Sequence, residues 1–218
     1  MSLIRAINGI PVIRGLYAIT PDYSDTEELL RKARLALEGG TSVLQYRNKT
    51  ASQALRLEQA EGLRELTREF QIPLIVNDDV LLAERVAADG VHLGAADASL
   101  ATARTALGEG KIIGVSCYNR LSLAREAAAA GADYVAFGAF FPSTVKPGAV
   151  TADVELLRRG RELKLPLVTI GGITVANGAM LIQAGADALA VITALFDAVD
   201  IRAAAQEFSK LFSQDFAS

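Results

Sequence analysis

A single-domain (β/α)8 TIM barrel is the fold this 218-residue chain predicts, on three observations. Short apolar runs alternate with longer helical patterns that open on polar residues, and the alternation never breaks. Eight runs can be counted, and eight βα units close a barrel. Almost every residue able to do chemistry sits at the C-terminal end of a run, where enzymes built on parallel sheets gather their sites. An open doubly wound sheet is the competing arrangement.

Residues 1–14 hold Arg5, Pro11 and Arg14 around apolar stretches too short for a signal core, and read as a structural extension. The barrel itself is expected over residues 15–212, with a tail at 213–218. Its strands are expected at Gly15 to Thr20, Ser42 to Arg47, Pro73 to Asn77, Gly90 to Leu93, Ile112 to Ser116, Asp133 to Phe140, Leu167 to Gly171 and Ala188 to Thr193. Between them, Ser24-Asp25-Thr26-Glu27 and Thr50-Ala51-Ser52-Gln53 are capping boxes that start helices. A weak internal repeat, seen at Gly40-Thr41-Ser42, Gly90-Val91-His92, Gly131-Ala132-Asp133 and Gly185-Ala186-Asp187, predicts a helix-ending glycine before every second strand.

Half of the residues are hydrophobic and 22% are charged, which suits a globular enzyme. A net charge of -3 with no basic stripe disfavours nucleic acid as a partner. No segment approaches a membrane span. The one cysteine makes no internal disulfide, so a reducing, cytoplasmic setting is expected. A homo-oligomer is compatible with the chain.

Two kinds of anion site are expected at the barrel mouth. Arg47 and Lys49 follow the second strand, Asn77 and Asp78 the third, Asp97 the fourth and Lys146 the sixth. Two carboxylates beside three cations suit a diphosphate whose charge a magnesium ion neutralises, with Asp78 and Asp97 as its protein ligands. Arginine adds a two-pronged donor, and each lysine a point charge. The other site is Ile170-Gly171-Gly172-Ile173 with Ile192-Thr193, after strands seven and eight. Bare backbone amides at a helix start hold a phosphate without metal. Read singly, either aspartate could cap a helix, and the glycines could serve a tight turn.

No nucleophile stands beside a base, so positioning and electrostatic stabilisation of a departing anion are expected to carry the chemistry. His92, the only histidine, reads as a packed or hydrogen-bonded strand residue. Cys117 has no neighbour in sequence that would activate its thiol.

Taken together, Tyr17-Ala18-Ile19-Thr20, Gln45-Tyr46-Arg47-Asn48-Lys49, Asn77-Asp78-Asp79, Gly90-Val91-His92-Leu93-Gly94, Phe141-Pro142-Ser143-Thr144-Val145-Lys146 and Ile170-Gly171-Gly172-Ile173 resemble the thiamin phosphate synthase family. The resemblance runs from about Gly15 to Phe196. It implies a Mg2+-dependent transferase with two phosphorylated small-molecule substrates: hydroxymethylpyrimidine diphosphate is joined to hydroxyethylthiazole phosphate, and pyrophosphate leaves, by a dissociative displacement. Carried over by position, Gln45, Tyr46, Arg47, Asn48, Lys49, Asn77, Ser116 and Lys146 would hold the pyrimidine diphosphate. Arg47, Lys49, Ser116 and Lys146 would act in catalysis, and Asp78 and Asp97 would bind the metal. Ser143, Thr144, Val145, Gly172, Ile192 and Thr193 would hold the thiazole phosphate. The chain departs from the family's usual residues at Ala95, Ala139, Val145 and Thr193. The related thiazole tautomerase uses a histidine, and Ser116-Cys117-Tyr118-Asn119 carries none.

Overall fold

The computed structural model describes residues 6–7, 10–11, 13–94, 97–142 and 152–213. Eight parallel strands close a barrel: β1 (Gly15–Ile19), β2 (Val43–Tyr46), β3 (Leu74–Asn77), β4 (Gly90–Leu93), β5 (Ile112–Tyr118), β6 (Tyr134–Gly138), β7 (Leu167–Ile170) and β8 (Ala188–Val191), with β8 pairing back to β1. Followed once round, the strand registers return to β1 eight residues from the starting point, the stagger that eight tilted parallel strands need to close. The open doubly wound sheet is thereby excluded.

Around the barrel lie α1 (Thr26–Glu38), α2 (Gln53–Phe70), α3 (Val80–Arg85), α4 (Leu100–Leu107), α5 (Leu121–Ala129), α6 (Glu155–Gly160), α7 (Val175–Gln183), the short α8 (Thr193–Phe196) and α9 (Ile201–Ser213). Alternation along each strand sorts the side chains into two cores. Outward residues such as Leu44, Leu74, Val91 and Leu189 pack beneath the helices. Inward residues Tyr17, Ile19, Val43, Ile75, Ile112, Tyr134 and Val168 fill the lumen, and Ile13, from the stretch read as an extension, joins them at the barrel floor. Gly114 makes room there: a Cβ at this position would lie 1.9 Å from Cζ of Tyr134.

Helix starts differ by a residue or two from the expected capping boxes. Asp25, in extended conformation, accepts from the Glu28 amide, and Ser52 from the Leu55 amide; Ser24 and Thr50 lie outside their helices. The repeat also needs one correction. Gly40, Gly131 and Gly185 have positive φ after a helix, but Gly90 is the first residue of β4, and Ala87 (φ 49°) takes the turn position.

What the repeat encodes is a clasp at the floor. Asp89, Asp133 and Asp187 each accept at the side chain from the first amide of the preceding strand (Leu74, 2.8 Å) or its second residue (Ile113, 2.7 Å), and again from a first residue (Leu167, 2.9 Å). The same aspartates donate their own amides to the carbonyls of those three residues. Ser42 fills the equivalent place between β1 and β2, with its hydroxyl donating to the carbonyls of Arg14 and Leu16.

Candidate active site

At the C-terminal end of β2 the chain runs Gln45-Tyr46-Arg47-Asn48-Lys49. Pleating sends Gln45 into the lumen and Tyr46 out under α2, where its hydroxyl donates to Gln59 (2.9 Å). Asn48 is also spent on the protein: it donates to Tyr23 O and Gln59 Oε1, and its oxygen accepts from the amides of Thr50 and Ala51. The side-chain polar atoms of Tyr46 and Asn48, both of which line the cavity described below, are thus used to shape the loop. Arg47 is anchored by Asp22 (2.9 Å), which also accepts from the Lys49 amide, and the Arg47 backbone is held by Thr20.

Lys49 reaches across to β3, where its Nζ lies 3.2 Å from the Asp78 carboxylate. A cavity of about 200 Å3 at this point is lined by Lys49, Arg56, Asn77, Asp78 and Asp79. Asp78 has φ 64°, a left-handed conformation that aspartate tolerates better than most residues, and Asp79 caps α3. From the loop after β4, Asp97 accepts from the Gly94 amide (2.5 Å) and touches Asp78. Burial pushes the Asp97 carboxyl above the usual carboxylate range, and the neighbouring Asp78 adds to the rise against the opposing pull of Gly94 and Lys49. Two crowded carboxylates at a mouth that also carries cations fit a divalent ion with phosphate oxygens and water as its other ligands. Among the described residues no group of three or more His, Cys, Asp and Glu could hold a metal.

The mouth's inner wall is a hydrogen-bonded row of side chains. Gln45 Nε2 donates to the Tyr17 hydroxyl (2.9 Å), which lies 2.7 Å from that of Tyr134. Tyr134 lies 2.9 Å from His92 Nδ1, and His92 Nε2 lies 2.8 Å from Ser116 Oγ. His92 is stacked on Tyr134 and buried, as a packed strand histidine should be. Cys117 points the other way into the outer core, where burial pushes its thiol up to about 12.

On the opposite side, β7 is followed by Gly171 (φ 102°) and Gly172 (φ 61°). A Cβ at Gly172 would lie 2.3 Å from the Pro142 carbonyl, so the turn is pressed against the chain after β6. Asn177 locks the turn by donating to Gly172 O and accepting from the Thr174 amide at the start of α7. Ile192 precedes α8 and Thr193 opens it, and the Ile192 carbonyl accepts from the amides of Leu195 and Phe196. β7 and β8 are neighbours, which sets the two backbone sites side by side. Ser143, Thr144, Val145 and Lys146, like Ala95, lie outside the described residues.

Sequence reasoning missed Asp22, Thr20, Tyr134 and Arg56. Asp22 and Thr20 sit just past β1, at the same level as the residues that were found, and that position was the available signal. Tyr134 showed itself only as an aromatic at an inward position.

Fold and mouth together are those of a barrel enzyme. The family model described as thiamine monophosphate synthase matches residues 16–195, and the chain belongs to that family. It is 57% identical over 206 residues to the thiamine-phosphate synthase of Methylobacillus flagellatus, covering 94% of this chain and 99% of the relative. It is 55% identical to that of Thiobacillus denitrificans over 92% of this chain and 96% of the relative. Among solved structures, the thiamine phosphate pyrophosphorylase of Pyrococcus furiosus superposes with a TM-score of 0.82 at 36% identity, over 92% of this chain and 96% of that one. A 3-hexulose-6-phosphate synthase, at 21% identity and TM-score 0.65 over 90% of this chain and 99% of that one, shares the fold. The chain is thus a transferase of the thiamine-phosphate synthase family. No described helix is long and apolar enough to cross a membrane.

Proposed function

We propose that this enzyme joins hydroxymethylpyrimidine diphosphate to hydroxyethylthiazole phosphate and releases pyrophosphate. The observation that carries the reading is the meeting of Lys49, Asp78 and Asp97 at the ends of three strands, opposite the backbone site of Gly172 and Thr193. Asp78 and Asp97 would hold Mg2+, which supplies positive charge to the diphosphate as it departs.

Arg47 and Lys49 bind the same diphosphate, with Asp22 fixing the guanidinium in place, and Lys146 is expected to add a further cation. As the bond from the pyrimidine methylene carbon to the bridging oxygen breaks, its electron pair leaves on pyrophosphate. The lone pair of the thiazole nitrogen then forms the new C–N bond, and no carbon-bound proton has to be removed. That balance accounts for a mouth in which His92 is engaged at both ring nitrogens by protein. Gln45 and Ser116 contact the pyrimidine side, while Gly172, Ile192 and Thr193 offer the thiazole phosphate backbone donors. The setting is proposed to be cytoplasmic.

The test mixes both substrates with and without Mg2+ and follows pyrophosphate release. Release that depends on Mg2+ and collapses in Asp78→Asn and Asp97→Asn is expected. Release that neither variant alters would sink the reading.

A further inference from the structure

The row from Gln45 to Ser116 has a direction. Gln45 Nε2 is a donor only, so the Tyr17 oxygen accepts from it and the Tyr17 proton needs another acceptor. Its second partner, 2.7 Å away, is the Tyr134 oxygen. The Tyr134 proton then points to His92 Nδ1, which accepts, and the ring's one hydrogen stands on Nε2 and is donated to Ser116 Oγ. Any reversed step leaves a buried hydroxyl proton without an acceptor, since Tyr17 and Tyr134 are both sealed from water. Burial also makes both phenols weaker acids, so they remain neutral donors.

The two ends of the row therefore present opposite polarity. At one end the Gln45 amide nitrogen is committed to Tyr17, and its carbonyl oxygen is left as an acceptor. At the other, Ser116 receives the His92 proton and keeps its own hydrogen for an acceptor in the mouth. We propose that Tyr17, Tyr134 and His92 are positioning residues that wire Gln45 as an acceptor and Ser116 as a donor, and so fix which heterocycle edge the pyrimidine site accepts. This rests on the assignment of Gln45 and Ser116 to the pyrimidine substrate. The metal site meets the row through backbone, where the Asp78 amide donates to the His92 carbonyl.

One histidine in the chain makes the wiring directly observable. Two-bond 1H–15N correlation of the substrate-free enzyme in mildly basic buffer is expected to show a single tautomer, with the proton on Nε2 and a hydrogen-bonded, unprotonated Nδ1. A protonated Nδ1 in the wild type overturns the inference. In Tyr134→Phe, which keeps the ring and removes the link, the Nδ1 signal should lose its hydrogen-bonded shift, and KM for the pyrimidine diphosphate should rise about tenfold, the equivalent of 1.4 kcal/mol. KM for the thiazole phosphate should not change. An equal rise in both KM values, or an unchanged Nδ1 signal, overturns the inference. If Tyr134→Phe does not fold, Tyr17→Phe releases Gln45 Nε2 at the other end of the row while Tyr134 still donates to Nδ1, so the pyrimidine KM should rise with the Nδ1 signal unchanged, and an unchanged pyrimidine KM overturns the inference. Because the spectrum needs no substrate, a correct tautomer in an enzyme that releases no pyrophosphate condemns the proposed reaction and the role given to the row; a wrong tautomer in an active enzyme condemns the row alone.

Discussion

Lys49 Nζ stands 3.2 Å from the carboxylate of Asp78, joining the loop after β2 to the turn after β3. Lys49 is more than half exposed, so the pair adds little to stability. Its place is to keep a cation and an anion ready at one point for a ligand that carries both metal and phosphate.

Asp78→Asn separates function from fold. Asparagine tolerates the left-handed backbone at this position, so the melting temperature should stay near that of the parent. Turnover should fall about 100-fold or more, the scale of losing a group that stabilises a departing anion. Pyrophosphate release and thermal unfolding on one preparation decide it. A large drop in melting temperature would mean that the Lys49 contact is structural.

Asp97 reports the metal without any chemistry. Its carboxyl is disfavoured as an anion by burial and by Asp78, and a bound divalent ion would relieve that crowding. Saturating Mg2+ is therefore expected to raise the melting temperature of the parent, by about 2.7 kcal/mol of added stability at 100 times the dissociation constant. The same Mg2+ titration should leave the melting temperature of Asp97→Asn flat.

Cys117 should be silent in the folded enzyme. Its thiol titrates near 12 when folded, against 9.0 ordinarily, so the folded state retains a proton that the unfolded chain gives up between those values. Stability from this group is thus undiminished below the ordinary value and declines as pH rises through that window. Alkylation by iodoacetamide at neutral pH, followed by mass, should label the urea-unfolded chain and spare the native one. Cys117→Ala should keep full turnover.

Gly114→Ala tests the packing beneath the mouth. The new methyl group would overlap the Tyr134 ring, and a strained core insertion costs about 1–3 kcal/mol. Urea unfolding should show that loss. The pyrimidine KM should also rise, because the ring carries the hydroxyl that reaches His92.

The barrel was legible because its signal is repetitive: eight apolar runs and their polar ends give the same message, and an error of a residue at any one run changes nothing. Residue-level signals were weaker. The capping box at Ser24 slipped to Asp25, since the cap is whichever residue turns extended, and several polar neighbours compete for that place. Tyr46 and Gln45 are adjacent, yet one faces the helices and the other the lumen, a parity that strand register settles and composition does not. Lys49, Asp78 and Asp97 were legible as candidates because charges at strand ends have few other uses. Tyr17 and Tyr134 were not, because an aromatic in a strand looks like core until its hydroxyl is seen against a partner on a distant strand.

The aspartate clasps at the floor bind strands in twos: β3 with β4 through Asp89, β5 with β6 through Asp133, β7 with β8 through Asp187, and β1 with β2 through Ser42. The ring is therefore assembled from four quarter-barrels, each sealed at its base by its own short-range lock. Chain breaks placed between quarters spare every lock, whereas a break within one quarter separates a clasp from its strand. A circularly permuted form opened between β4 and β5 should accordingly tolerate the cut better than one opened between β5 and β6, and the loops at the mouth are left free to diverge without disturbing how the quarters are built.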